Sequence, residues 1–215
     1  MHLYVYDHCP FCVKARMIFG LHQQPVELSF LLNDDEATPQ RLIGKKMLLI
    51  LVKDDQSAMG ESLDIIDYIE SRSTLPRLST TTSPALAEWL TEVGSYVNQL
   101  LLPIMPTTDF AEFATDAARD YYAAKKQAFM GDFGPLRAQR TELVLKVNQD
   151  LERLAEIISS PHAVNGTLSY DDIHLFPLLR NLTLVKEIVW PDSVAALRDS
   201  LSRQTAVPLL FSLAR

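Results

Sequence analysis

The chain is poor in cysteine, with only Cys9 and Cys12 among its 215 residues. At 47% hydrophobic residues it holds enough apolar material to bury a core without disulfide staples. The two thiols are therefore free for other work. Long hydrophobic runs are also missing: Leu100-Leu101-Leu102 stops at Pro103, far short of a membrane span. Positive charge is scarce as well. Twenty Lys and Arg face 27 Asp and Glu, and the net charge of −7 repels nucleic acid and anionic membrane surfaces. Met1 to Asp7 carry no basic segment leading into an apolar one, so no secretory signal is expected and the expected compartment is a reducing cytoplasm. No internal repeat or low-complexity segment is visible.

What is present falls into two parts. Residues 2–6 read as a short buried strand, followed by a helix from Pro10 to about Gly20, because Pro suits a first turn that needs no backbone donor. Val26, Leu28 and Phe30 alternate as in a second strand, and Thr38-Pro39 marks a short helix. Leu48 to Val52 is a continuous apolar run, expected as a strand covered on both faces. Asp54-Asp55 turns the chain into a strand at 57–59. Leu63, Ile66 and Ile69 then define one face of a helix that opens after Glu61. This order is that of an α/β thioredoxin-like domain over 1–72. Residues 73–83, rich in Ser, Thr and Pro, read as a linker. Residues 84–215 carry only helical periodicities, with clear apolar faces at Leu86 to Leu101 and Leu143 to Ile158 and a helix expected over Phe110 to Met130. Ser169-x-x-Asp172 is a capping-box variant, and Asp171-Asp172 are expected as a solvated helix start.

The chemistry concentrates at Cys9-Pro10-Phe11-Cys12. A thiol where strand hands over to helix meets orphaned N–H groups and the positive end of the macrodipole, both of which favour the thiolate. Lys14 and Arg16 add positive charge nearby. Cys12, one helical turn on, is close enough to form a disulfide after modest adjustment. Cys9 is thus the expected nucleophile and Cys12 the more buried resolving thiol, working through a mixed disulfide. Two other readings compete. A zinc site needs four ligands, and only His2 and His8 lie near, so no metal is expected. Buried cysteines can also be inert packing residues. His8 is read as capping the loop rather than tuning Cys9. His22 is read as a surface or packing residue, and Trp89 and Trp190 as core anchors.

Tyr4 to Cys12, followed by Lys14-Ala15-Arg16, resembles the active-site segment of glutaredoxins. Leu31-Leu32-Asn33-Asp34-Asp35 and the segment 172–185 extend the likeness over the whole chain, to the glutathione-transferase-like bacterial glutaredoxins of the glutaredoxin 2 type. The resemblance implies a glutathione-dependent thiol–disulfide oxidoreductase with a transferase-like architecture. Glutathione would be the co-substrate, and disulfide-containing or glutathionylated proteins the partners of a monomer. It implies that Cys9 carries the glutathione mixed disulfide and that Phe11, Leu48, Glu61 and Ser62 bind glutathione. The chain departs from that pattern in two places. Leu49 stands where the family has a cis-proline, and the intrinsic cost of a non-proline cis bond, about 2.5–4 kcal/mol, makes trans the expectation for Leu48–Leu49. Gly60 replaces a proline before Glu61-Ser62. A glutathione transferase and a non-catalytic glutathione- or partner-binding module remain the alternatives.

Overall fold

Leu3 and Val5 are fully buried while His2 and Tyr4 are half-buried, the alternation of a strand with one packed face. This strand, β1 (His2–Val5), lies second in a four-stranded sheet of order β2-β1-β3-β4 in the computed structural model, which describes residues 1–215. β2 (Glu27–Phe30) runs parallel to β1, whereas β3 (Ile50–Val52) pairs with β1, and β4 (Ala58–Met59) with β3, in antiparallel fashion. The parallel pair requires a crossover, which α1 (Pro10–Leu21) supplies. α2 (Ala37–Ile43) lies between β2 and β3 in the chain, and α3 (Ser62–Arg72) follows β4 and packs against α1.

The apolar stripes explain that packing. α1 buries Val13, Ala15, Met17, Ile18 and Phe19, and α3 buries Ile65, Ile66 and Ile69. Ile65 takes the place expected for Leu63. The stripe at i, i+1 and i+4 leaves Leu63 on its border, 43% exposed. Gly20 has a steric role: a Cβ there would lie 1.8 Å from the backbone oxygen of Thr205. That backbone can approach α1 only where no side chain stands.

Two expectations change at the entry to β3. The strand begins at Ile50, not Leu48, and the Leu48–Leu49 peptide bond is cis. The trans expectation counted only the preference of an isolated bond. In the folded chain Leu49 is buried and Ile50 must enter β3 opposite Tyr4, so its surroundings decide the geometry.

The chain divides into two units. One comprises Met1–Arg77 together with Asp109–Ala124 and Thr205–Val207; the other comprises Leu78–Thr108, Lys125–Gln204 and Pro208–Arg215. The stretch expected to be one helix from Phe110 is a 3-10 turn, Ala111–Phe113, followed by α6 (Asp116–Met130). The second unit is helical. α4 (Pro84–Gly94) and α5 (Val97–Leu101) are separate helices, and they and α7 (Phe133–Ala138) pack on α8 (Arg140–Ile157). Trp89, 3% exposed, donates its indole N–H to the Asp150 carbonyl at 2.7 Å. α9 (Tyr170–Leu182) opens with the capping box of Ser169 and Asp172. Asp172 is fully buried and Asp171 nearly so, which corrects the expectation of a solvated helix start. Their carboxylates accept from N–H groups of other parts of the chain: the buried Val164 N–H donates to Asp172 at 2.7 Å, and the half-buried Ser83 N–H to Asp171 at 2.7 Å.

Candidate active site

The chain leaves β1 at Val5, and Cys9 caps the N-terminus of α1 in an extended conformation, with Pro10 in the first turn. Cys9 is half-buried and Cys12 fully buried, and both are free thiols. The Tyr6 N–H donates to the Cys12 sulfur at 3.4 Å. The Cys9 thiol is lowered to about 6. The Cys12 thiol, hydrogen-bonded to the Cys9 sulfur, is the largest cause; burial opposes it, and the charge of His8 and the backbone N–H groups of Cys12 and Phe11 add to it. Burial pushes the Cys12 thiol well up, and the Cys9 charge pushes it further. The two sulfurs thus divide the labour: one is a thiolate near neutral pH, while the other holds its proton.

The charges around Cys9 differ from the sequence expectation. Lys14 interacts electrostatically with Cys9, but Arg16 is paired with Asp7 at 2.5 Å and stacks over Phe30, so its charge is already matched. His8 does more than cap a loop. Its ring is enclosed by Phe113, Tyr122 and Phe110, and its Nδ1 lies 2.7 Å from the fully buried Glu112 carboxylate. Nothing in the sequence pattern marks Glu112. It sits between two aromatics in a 3-10 turn, where no helical or strand period exists to read. His22 is buried, with Nε2 3.9 Å from Glu70, as a packed residue.

Phe11, Leu48, Glu61 and Ser62 come together, with Met47 and Leu49, around a cleft of about 290 Å³. Phe11 is 57% exposed and forms an apolar lip. Glu61 has φ 65, outside the regions that L-residues favour, and the next residue opens α3. Such outliers cost about 1–3 kcal/mol and persist only where their surroundings fix them. Gly60 serves a close approach: a Cβ there would lie 2.5 Å from the terminal methyl of Met47. The space a larger residue would take at 60 is filled by Met47, which sequence reading did not single out.

A direct consequence can be measured. Iodoacetamide labelling of Cys9 should rise with pH about a midpoint near 6, while Cys12 stays unlabelled until far more alkaline pH. Because the folded value lies below the ordinary thiol value, this group's contribution to stability is full above the ordinary value and is lost as pH falls through about 6. A Cys9 midpoint above pH 8 would contradict the geometry.

Comparison with known proteins gives the same direction from independent information. Residues 85–214 match the family model for the C-terminal domain of glutaredoxin 2, and residues 3–77 match the glutathione S-transferase N-terminal domain. Glutaredoxin 2 of Escherichia coli K12 is 52% identical over 214 residues, covering all of both chains. A crystal structure of glutaredoxin 2 from Salmonella typhimurium in complex with glutathione superposes with a TM-score of 0.97, at 54% identity, covering 100% of this chain and 98% of that one. A glutathione S-transferase from Rhodospirillum rubrum shares the fold alone, with a TM-score of 0.60 at 14% identity, covering 94% of this chain and 86% of that one. The α/β thioredoxin-like sheet, the helical remainder and the near-complete match in sequence and structure agree: the chain belongs to the glutaredoxin 2 family.

Proposed function

We propose that this chain is a glutathione-dependent thiol–disulfide oxidoreductase in which Cys9 and Cys12 form the redox dithiol and glutathione is the co-substrate. The observation that carries the reading is the unequal pair of sulfurs. Cys9 is half-buried and lowered to about 6, while Cys12 is fully buried and raised. The Cys9 thiolate attacks the sulfur of a substrate disulfide or of a glutathionylated protein, and the former partner leaves as a thiolate that takes up a proton. The resulting mixed disulfide on Cys9 is then broken either by a second glutathione or by Cys12, which yields the Cys9–Cys12 disulfide.

The cleft supplies the glutathione site in this reading. Ser62, at the N-terminus of α3, offers a hydroxyl and backbone N–H groups to the γ-glutamyl carboxylate, and the Glu61 carboxylate faces the ammonium. Phe11, which stands between the two cysteines in the sequence, and Leu48 border the cysteinyl part. A likeness to a glutathione-bound glutaredoxin 2 of 54% identity supports the same choice of co-substrate. The protein partners carry disulfides or glutathionylated cysteines, the chain acts as a monomer, and a reducing cytoplasm keeps the dithiol supplied. No helix is long and apolar enough to cross a membrane. The linker of this reading, residues 73–83, overlaps the end of the N-terminal match (3–77) and stops just before the C-terminal one (85–214), which supports a change of domain in that region.

Trapping the intermediate tests this reading. Cys12→Ser treated with oxidised glutathione should acquire one glutathione, and peptide mapping should place it on Cys9. An unmodified protein, at a pH where Cys9 is a thiolate, would refute the assignment.

A further inference from the structure

Glu112 is fully buried, and the dithiol mechanism does not use it. It lies 104 residues from His8 in sequence, yet its Oε1 accepts hydrogen bonds from both the His8 backbone N–H, at 3.0 Å, and the His8 ring at Nδ1, at 2.7 Å. Its other oxygen, Oε2, is buried and has no hydrogen-bond partner. The turn that carries it is pinned where the Asn33 N–H donates to the Glu112 carbonyl at 2.9 Å. Around His8 stand the rings of Tyr6 at 5.7 Å, Phe113 at 5.1 Å, Tyr122 at 5.3 Å and Phe110 at 6.1 Å. A carboxylate with one oxygen unsatisfied among aromatic rings is costly to bury unless a cation adjoins it. The group that the structure places against it is the His8 ring.

We propose that Glu112 is a positioning residue that grips His8 at its ring and backbone, so that the ring turns a positive charge toward the Cys9 thiolate. The proposal rests on the reading of Cys9 as the nucleophile. The segment 109–124 would then be part of the thiol-activating machinery, although it lies outside the thioredoxin-like residues 1–72. The other titratable groups facing His8 and Cys9 do not supply this charge. Tyr6 and Tyr122 are both raised, chiefly by burial, and remain neutral; Cys12 keeps its proton. Lys14 is the other cation coupled to Cys9, and burial lowers its ammonium.

The sign of one measurement decides the matter. Acting merely as a nearby anion, Glu112 would disfavour the Cys9 thiolate, and its removal would lower the Cys9 midpoint. Acting through His8, it favours the thiolate, and its removal raises the midpoint. In the full-length chain Glu112→Gln, which keeps the size and an acceptor oxygen, the pH midpoint of iodoacetamide labelling at Cys9 should rise by about one unit or more. His8→Gln should raise it similarly, and the double substitution should add nothing further. An unchanged or lowered midpoint in Glu112→Gln, or full additivity in the double variant, would overturn the proposal. Should Glu112→Gln not fold, Glu112→Asp replaces it: the charge stays but the reach shortens, so the midpoint should still rise, and a wild-type midpoint would sink the relay. These outcomes are separable from the nucleophile reading, because labelling midpoints do not require turnover. A failure to trap glutathione on Cys9 would remove that reading while leaving the relay measurable.

Discussion

Cys9→Ser should lose essentially all glutathione-dependent disulfide reduction, by about a thousandfold or more, since removing a covalent nucleophile is among the most damaging changes an enzyme can suffer. Cys12 cannot take over. It is fully buried, and burial together with the Cys9 charge holds its thiol protonated in the working range of pH. Serine in place of Cys9 would meet the same N–H groups, but a hydroxyl is a poor nucleophile without an adjacent base. The hydroxyethyl-disulfide assay with glutathione reads the effect directly. Cys12→Ser should instead keep activity on glutathione mixed disulfides, because a second glutathione can resolve the intermediate, and should lose reduction steps that need the intramolecular disulfide. Wild-type disulfide reduction in Cys9→Ser would refute the assignment of roles. Conjugation of an electrophile that survives in Cys9→Ser, with disulfide reduction absent throughout, would favour a transferase.

The second large effect concerns stability. Asp172→Ala should destabilise the fold by about 3–5 kcal/mol, because it strands several buried donors at once. Asp172 accepts from the Ser169 N–H at 2.9 Å, the Ser169 hydroxyl at 3.0 Å and the Val164 N–H at 2.7 Å, all in a region without solvent access. Each stranded backbone donor costs about 1–3 kcal/mol, and the helix cap is lost as well. Urea unfolding should show a lower midpoint at unchanged slope. Asp172→Asn keeps one acceptor oxygen and should lose less. A loss below about 1 kcal/mol for Asp172→Ala would mean that the box contributes little to holding α9.

Local features were legible in the sequence to the extent that their causes were local. Pro10 announced the start of α1, residues 2–6 read as the short buried strand that became β1, and Ser169-x-x-Asp172 announced the cap of α9. Ile66 and Ile69 marked the buried face of α3, but Leu63 did not belong to it, since the choice among neighbouring apolar residues depends on where α1 lies. Burial of Asp171 and Asp172 was invisible for a similar reason: their donors, Ser83 and Val164, come from other parts of the chain.

The dithiol and its place at a helix N-terminus follow from the sequence by itself, because spacing and Pro10 impose them on any chain that folds there. The cis Leu48–Leu49 bond, the gathering of Phe11, Leu48, Glu61 and Ser62 around one cleft, and the seat of His8 on Glu112 were decided only by tertiary structure. Each depends on contacts between segments far apart in the chain, where a pattern of neighbouring residues carries no information about which backbone or carboxylate will arrive.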